Sequence, residues 1–308
     1  MPGLKRSVQW GGRLLVGVCF LWLSYLAFDF SYILIELKEL FSNFWVIGAM
    51  TAAYLSAFLI RAKAWQLYVD KSQPLKQFVD GLLYSLFINH LLPVKAGDVV
   101  RAGYLVNSTR ISWKSAIESV VVMRSLDLMI LGSISLGGVL YLGLSISYLF
   151  LILLVLAGSL VMVLIFFKEN WRTVIISQIK RVGSILFSGQ GVLLFFLIAV
   201  SWGLEAIIVF AVATQFSSAL GFLQSLWVNS FTIAGQVFHF SPGGIGTYES
   251  FMSFALRASE VPIKNAYTIA ILTHGFKFIF SFAVGLYLIL SVPISLKTIK
   301  GWLKRKED

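Results

Sequence analysis

The 308-residue chain is 58% hydrophobic and only 13% charged, about half the roughly 25% charge content of a soluble domain, so lipid must be the solvent for most of its surface. The net charge of +11 is then best read as basic loops facing the cytoplasm and anionic lipid, and no nucleic acid is expected as a partner. The single cysteine, Cys19, lies in an apolar run, which leaves no disulfide framework and no thiolate metal site.

A helix crosses the hydrocarbon with about 20 apolar residues. Six runs meet that length: 10–28, 44–62, 116–144, 147–167, 191–216 and 265–292. The first shows no small-residue cleavage site and reads as a retained helix, not a signal peptide. Lys5, Arg6 and Arg13 place the N-terminus in the cytoplasm, and the loop 29–43, with Asp29, Glu36 and Glu39 against Lys38, falls outside. Arg61, Lys63, Lys71 and Lys76 bring the chain back inside. Lys95, Arg101, Arg110 and Lys114 are also cytoplasmic by this rule, so the apolar segment between the two groups predicts a re-entrant hairpin over 78–107 with Pro93 near its tip.

The spans 116–144 and 147–167 then go out and return to Lys168, Arg172, Lys180 and Arg181, and 191–216 goes out again. To reach the cytoplasmic cluster from Lys297 to Lys306 through the last span, 221–258 must begin and end outside. It is a second hairpin, entered from the opposite face. The predicted class is therefore an all-α polytopic membrane protein, one domain over 1–308, with six spans, two re-entrant hairpins and half-repeats 1–145 and 146–308. Both termini are cytoplasmic.

The two hairpin tips share a pattern. "HLLPVKAG" at 90–97 and "HFSPGGIG" at 239–246 both read His-x-x-Pro-x-x-x-Gly, 149 residues apart. Irregular backbone at membrane depth needs protein or a wet cavity around it, because lipid satisfies no N–H or C=O. Inverted repeats meet that need by bringing two broken segments together near the midplane. Gly243, Gly244 and Gly246 permit positive φ, and the N–H groups of a helix starting near Thr247 would offer an anion site. A tight extramembrane turn with Glu249 capping the next helix is the alternative reading.

Ionisable groups within a span cost about 2.5–3.5 kcal/mol on insertion scales, so each needs a partner or a purpose. Glu118, Arg124 and Asp127 share one helix. Arg124 and Asp127, like Asp98 and Arg101, stand at i,i+3 and either neutralise one another locally or present arginine forks to a lipid phosphate. Glu205 has no partner nearby in sequence and must find Arg101, Arg124 or Lys277, or carry a proton. Glu205 and Glu249 are the candidates for proton coupling. His274 and Lys277 share a face of the last span, and mid-span Lys277 requires an interior partner. His90 and His239, with Asn89, read as hydrogen-bonding groups of the loops, since no carboxylate or thiolate stands at a metal-ligand spacing. No metal and no cofactor is expected.

Asn89, Pro93, "AGDVVR" at 96–101, "RSLD" at 124–127 and "SPGGIGTYE" at 241–249, in that order, resemble the transmembrane region of lysylphosphatidylglycerol synthases, a family of flippase-like membrane proteins. The resemblance extends over nearly the whole chain. It implies a prokaryotic plasma-membrane protein that moves phospholipids or lipid-linked phosphates or sugars between leaflets, without catalytic residues. The headgroup would meet Arg101, Arg124, Asp98, Glu249 and the three glycines of the second tip. Glu205, Asp127, Glu118, Lys277, His90, His239 and Asn89 would line the cavity. The soluble aminoacyl-transfer domain of the larger members is expected to be absent, and Met123 stands where the family pattern suggests an acid. An intramembrane enzyme acting on lipid-linked phosphate through Asp98 and Glu249, or a non-catalytic partner of a lipid-modifying enzyme, are the competing classes. Membrane lipids are the expected partners, with a homo-oligomer or a separate lipid-modifying enzyme left open.

Overall fold

A computed structural model describes residues 28–92, 96–143, 180–185, 188–216, 220–236, 241–295, 298–299 and 301–302. The expected spans 10–28 and 147–167, His239 and Pro93 lie outside these residues, save Phe28. All regular structure among the described residues is helical.

The first half carries α1 (Phe30–Ser42), α2 (Phe44–Val69), α3 (Leu75–Leu91), α4 (Gly97–Ser108) and α5 (Trp113–Tyr141). The second carries α6 (Gly189–Ala213), α7 (Phe222–Gly235), a single 3₁₀ turn at Pro242–Gly244, α8 (Thr247–Ala258) and α9 (Ile263–Ser291). Helix starts follow local chemistry. Asp29 accepts a hydrogen bond from Tyr32 N, Ser112 from Ser115 N and Ser188 from Gly191 N, and each satisfies an amide that the helix leaves unpaired. Pro74 and Pro262 precede α3 and α9, where a missing N–H costs nothing.

Among the described residues four helices, α2, α5, α6 and α9, are long and apolar enough to cross a membrane. The others are not. α3, α4, α7 and α8 have 17, 12, 14 and 12 residues, which at 1.5 Å per residue gives roughly 18–26 Å against a hydrocarbon core of about 30 Å. α7 ends at Gly235, with Gln236 at its C-cap.

Two sequence expectations are corrected. The stretch 29–43 is no loop: it is helix α1, capped by Asp29 and anchored by Ile33 and Leu40, its apolar residues recurring at helical spacing among the acids. The second correction concerns Arg61, placed by hydropathy at a helix end. α2 runs on to Val69 because nothing in 63–69 breaks it, until Asp70 accepts from the Ser72 amide and hydroxyl and turns the chain. Arg61 thus sits inside the helix, two turns from its end.

The order long, short, short, long occurs twice, as 26, 17, 12 and 29 residues and as 25, 14, 12 and 29. α2 packs along α6. α3 lies against α4 and α9, and α7 against α8 and α5, so each half's short pair is held by the other half's last long helix. The aromatic cluster of Tyr54, Phe58, Phe276 and Phe280 ties α2 to α9.

Candidate functional site

The ends of α3 and α7 and the turn before α8 open on one cavity of about 180 Å³, whose lining includes Asn89 and His90 from the first break and Gln236 and Gly243 from the second. That is many times the ~10–15 Å³ that one water requires, and the walls are polar enough to hold several. Arg61, Arg101, Arg124, Asp127, Glu205, His274 and Lys277 also line it. The ring centroids of His90 and Phe278 are 4.6 Å apart, and those of Phe278 and His274 4.9 Å apart. One packed edge therefore connects the two breaks.

At the centre, Glu205 of α6 is gripped from two sides. Lys277 Nζ of α9 donates to Oε1 at 2.8 Å, and Arg61 of α2 donates to Oε2 at 2.9 Å. Lys277 also donates to Asn229 Oδ1, and Arg61 Nε to Ser201 Oγ. The Arg61 guanidinium lies over the Trp202 ring, 3.9 Å from its centroid, where desolvation makes a cation–π contact strongest. Trp202 Nε1 in turn donates to Asp127 Oδ1 at 3.1 Å. This link joins the central triad to a second cluster.

In that cluster Asp98, on the first turn of α4, receives Arg124 Nε at 3.1 Å and Nη2 at 3.0 Å, with Arg101 Nε at 3.3 Å. The local Arg124–Asp127 pair is longer, 3.8 Å. Arg101 is only 3% exposed, donates to the Val120 carbonyl and faces the Trp65 ring. Arg124 keeps 42% of its side chain exposed.

The second break has the backbone that its glycines allow: Gly243, Gly244 and Gly246 all adopt positive φ, of 61°, 82° and 84°. At Gly243 a Cβ would also run into the Phe278 ring. The capping expected of Glu249 is observed. Its Oε2 accepts from Gly246 N at 2.7 Å, capping α8, while Oε1 meets His274 Nδ1 at 2.7 Å. The helix N-terminus expected to hold an external anion is therefore occupied by the chain's own carboxylate. His274 Nε2 lies 3.1 Å from the Gly243 carbonyl. The first break uses the same device, with Asn89 Oδ1 accepting from Gly97 N at 2.9 Å.

Of the residues singled out from sequence, Arg101, Arg124, Asp127, Glu205, Lys277, His90, Asn89 and Gly243 share the cavity wall. Asp98 and Glu249 stand behind it, on Arg124 and His274. Gly244 and Gly246 shape the turn without lining the cavity. Glu118 is the exception: it pairs with Arg181 at the half-exposed start of α5 and is not part of the wall. Its i,i+6 separation from Arg124 turns it to another face of the helix. Sequence reasoning missed Arg61, Trp202, Tyr54 and Tyr248, all cavity residues. The signal for Arg61 was Glu205 itself, a buried acid in need of more than one cation.

Residues 10–285 match the sequence model of one family, described as "Lysylphosphatidylglycerol synthase TM region". No curated protein and no solved structure matches the chain.

Proposed function

Because this chain belongs to the lysylphosphatidylglycerol synthase TM region family and is an integral membrane protein, we propose that it is a lipid translocase, passing a phospholipid or lipid-linked phosphate headgroup between leaflets through the polar cavity while the acyl chains stay in lipid. The observation that carries this reading is the meeting of both broken segments, through Asn89, His90, Gln236 and Gly243, on one cavity lined by four basic side chains. Helix ends and non-helical backbone of this kind are stable in a bilayer only where protein buries them or a wet site surrounds them.

In this reading α3–α4 and α7–α8 are re-entrant hairpins entered from opposite faces, and 1–308 is one domain of two inverted half-repeats, 1–145 and 146–308. Six helices span the prokaryotic plasma membrane with both termini in the cytoplasm. Support comes from the doubled length pattern and the reciprocal packing of α3 on α9 and α7 on α5. The equivalence reaches single residues. Arg124 and Asp127 stand on the same turns of α5 as His274 and Lys277 do on α9, 150 residues later, and Arg61 and Glu205 each stand eight residues before the end of α2 and α6. The Arg61–Glu205 pair therefore lies on the pseudo-twofold axis, where a rocking motion of the halves would turn.

Arg124 is the headgroup contact, oriented by Asp98, with Arg101 behind it. Reconstitution in liposomes with a fluorescent phospholipid tests the proposal. Transbilayer movement without a chemical product is expected, reduced at least tenfold by Arg124→Ala, whose protein still folds. A lipid product would assign an enzyme, and neither movement nor product would assign a partner of a lipid-modifying enzyme. Undiminished movement in both Arg101→Ala and Arg124→Ala would remove the arginines from the path.

A further inference from the structure

We infer that the cavity opens sideways into the bilayer at Arg124, and that an acyl chain of the lipid whose headgroup enters there lies on a strip of α5 formed by Val121, Ser125, Leu128 and Gly132. This rests on the translocase reading and adds to it a binding site for the apolar end of the substrate.

Arg124 is the basic side chain of the wall that reaches outside. It is 42% exposed, whereas Arg61, Arg101 and Lys277 are 11%, 4% and 4% exposed. Its depth makes that exposure costly. Arg124 stands eleven residues past Trp113, the start of the 29-residue α5, about 16 Å along the helix axis. Centred on a hydrocarbon core of about 30 Å, the helix holds this guanidinium on the order of 10 Å inside. An arginine at that depth needs polar partners. Asp98 is one, at 3.0 Å, and the outward part of the fork is turned to whatever lies beside the helix.

The neighbours of Arg124 on its own helix face show what that is. Val121 and Leu128, at i−3 and i+4, are 38% and 45% exposed, and apolar side chains exposed at mid-span face hydrocarbon. Between them Ser125 donates its hydroxyl to the Val121 carbonyl, so it presents no bare donor to lipid. One turn beyond Leu128, a Cβ on Gly132 would meet no atom within 4 Å; the strip ends in a shallow groove with open space above it. Within about one helical turn, roughly 5 Å, the surface passes from a guanidinium to apolar side chains. That juxtaposition fits a molecule with an anion at one end and a hydrocarbon chain at the other.

The corresponding place on α9 is shut. Phe278 stands four residues after His274 as Leu128 does after Arg124, and its ring packs against those of both His90 and His274. One long helix therefore presents a seal and the other a mouth. A chain resting on α5 gains no hydrophobic free energy over bulk lipid, because lipid tails are as apolar as leucine. The strip consequently holds a particular chain only while the headgroup is pinned at Arg124, and removing either the phosphate or the arginine should empty it.

Photocrosslinking of the purified full chain in a neutral detergent tests this without relying on transport. Two probes carry the same diazirine-bearing acyl chain, one on phosphatidylglycerol and one on phosphate-free diacylglycerol, and mass spectrometry of the digested protein locates the adducts. The phosphatidylglycerol probe should label 121–132 at least about tenfold more than the diacylglycerol probe, the worth of one hydrogen bond to a charged group, while both label exposed residues such as Phe196 of α6 and Leu290 of α9 equally. Arg124→Ala should bring the two probes level on the strip. The comparison of probes on the parent protein stands even if that variant does not fold. Equal labelling of 121–132 by both probes in the parent, or phosphatidylglycerol adducts spread evenly over α5, α6 and α9, would overturn the inference. Transbilayer movement with no enrichment on the strip would overturn it and leave translocation standing; enrichment without movement would keep the acyl site and remove the translocase.

Discussion

Replacing Glu205 by glutamine keeps the shape of the side chain and removes the one charge that holds Arg61 and Lys277 together. Both contacts are below 3 Å in N–O distance; Lys277 is buried and the Arg61 side chain is only 11% exposed. With charge centres near 4 Å and an effective dielectric near 20, each attraction is worth about 4 kcal/mol before the desolvation of Glu205 is counted against it. The net cost of breaking a buried pair from one side is about 3–5 kcal/mol. At about 2 °C per kcal/mol for a chain of this size, the melting temperature of the detergent-solubilised protein should fall by about 6–10 °C. Thermal unfolding followed by size-exclusion profile reads this directly. Adding Lys277→Met should restore about half of the loss, because Arg61 alone still has Ser201 and the Trp202 face. A Glu205→Gln protein melting within about 2 °C of the parent, with no recovery in the double variant, would mean that the triad is hydrated and does not hold α2, α6 and α9 together.

Gly243→Ala combines a left-handed backbone with a collision against Phe278 and should cost about 1–3 kcal/mol, seen as a lower melting temperature. Asn89→Leu leaves the buried Gly97 N–H without its acceptor. About 1–3 kcal/mol of stability should go, with hydrogen exchange speeding up first at the start of α4. At the surface, the hydrogen bonds from Lys264 and from Tyr32 N hold the Asp29 carboxyl below the usual carboxylate range. A depressed folded-state value contributes stability above the unfolded one and loses it as pH falls through the folded one. Exchange protection of α1 should therefore be constant at neutral pH and decline only in acid below about pH 4; Asp29→Asn should abolish that acid step.

Much was legible in the chain itself. Composition and apolar run lengths determine that the protein lives in lipid, because no other solvent accepts that surface, and they locate α2, α5, α6 and α9 to within a few residues except at the end of α2. Pro-Gly-Gly determines the positive-φ turn, since the conformation is a local property of residues without a Cβ. The i,i+3 pairs were also readable, being neighbours on one helix. Partner choice among buried charges was not. Asp98 prefers Arg124 of another helix to its local partner Arg101, and Glu205 takes, beside the expected Lys277, Arg61, which hydropathy placed at a helix end, because an ion in a low-dielectric interior pairs with whatever packing brings nearest, regardless of separation along the chain. Only the folded helices bring Asn89 and His90 of one break and Gln236 and Gly243 of the other to one cavity and turn Glu118 away from it. Direction of approach and distance through space decide those contacts, and neither is encoded in a linear order of residues until the helices pack.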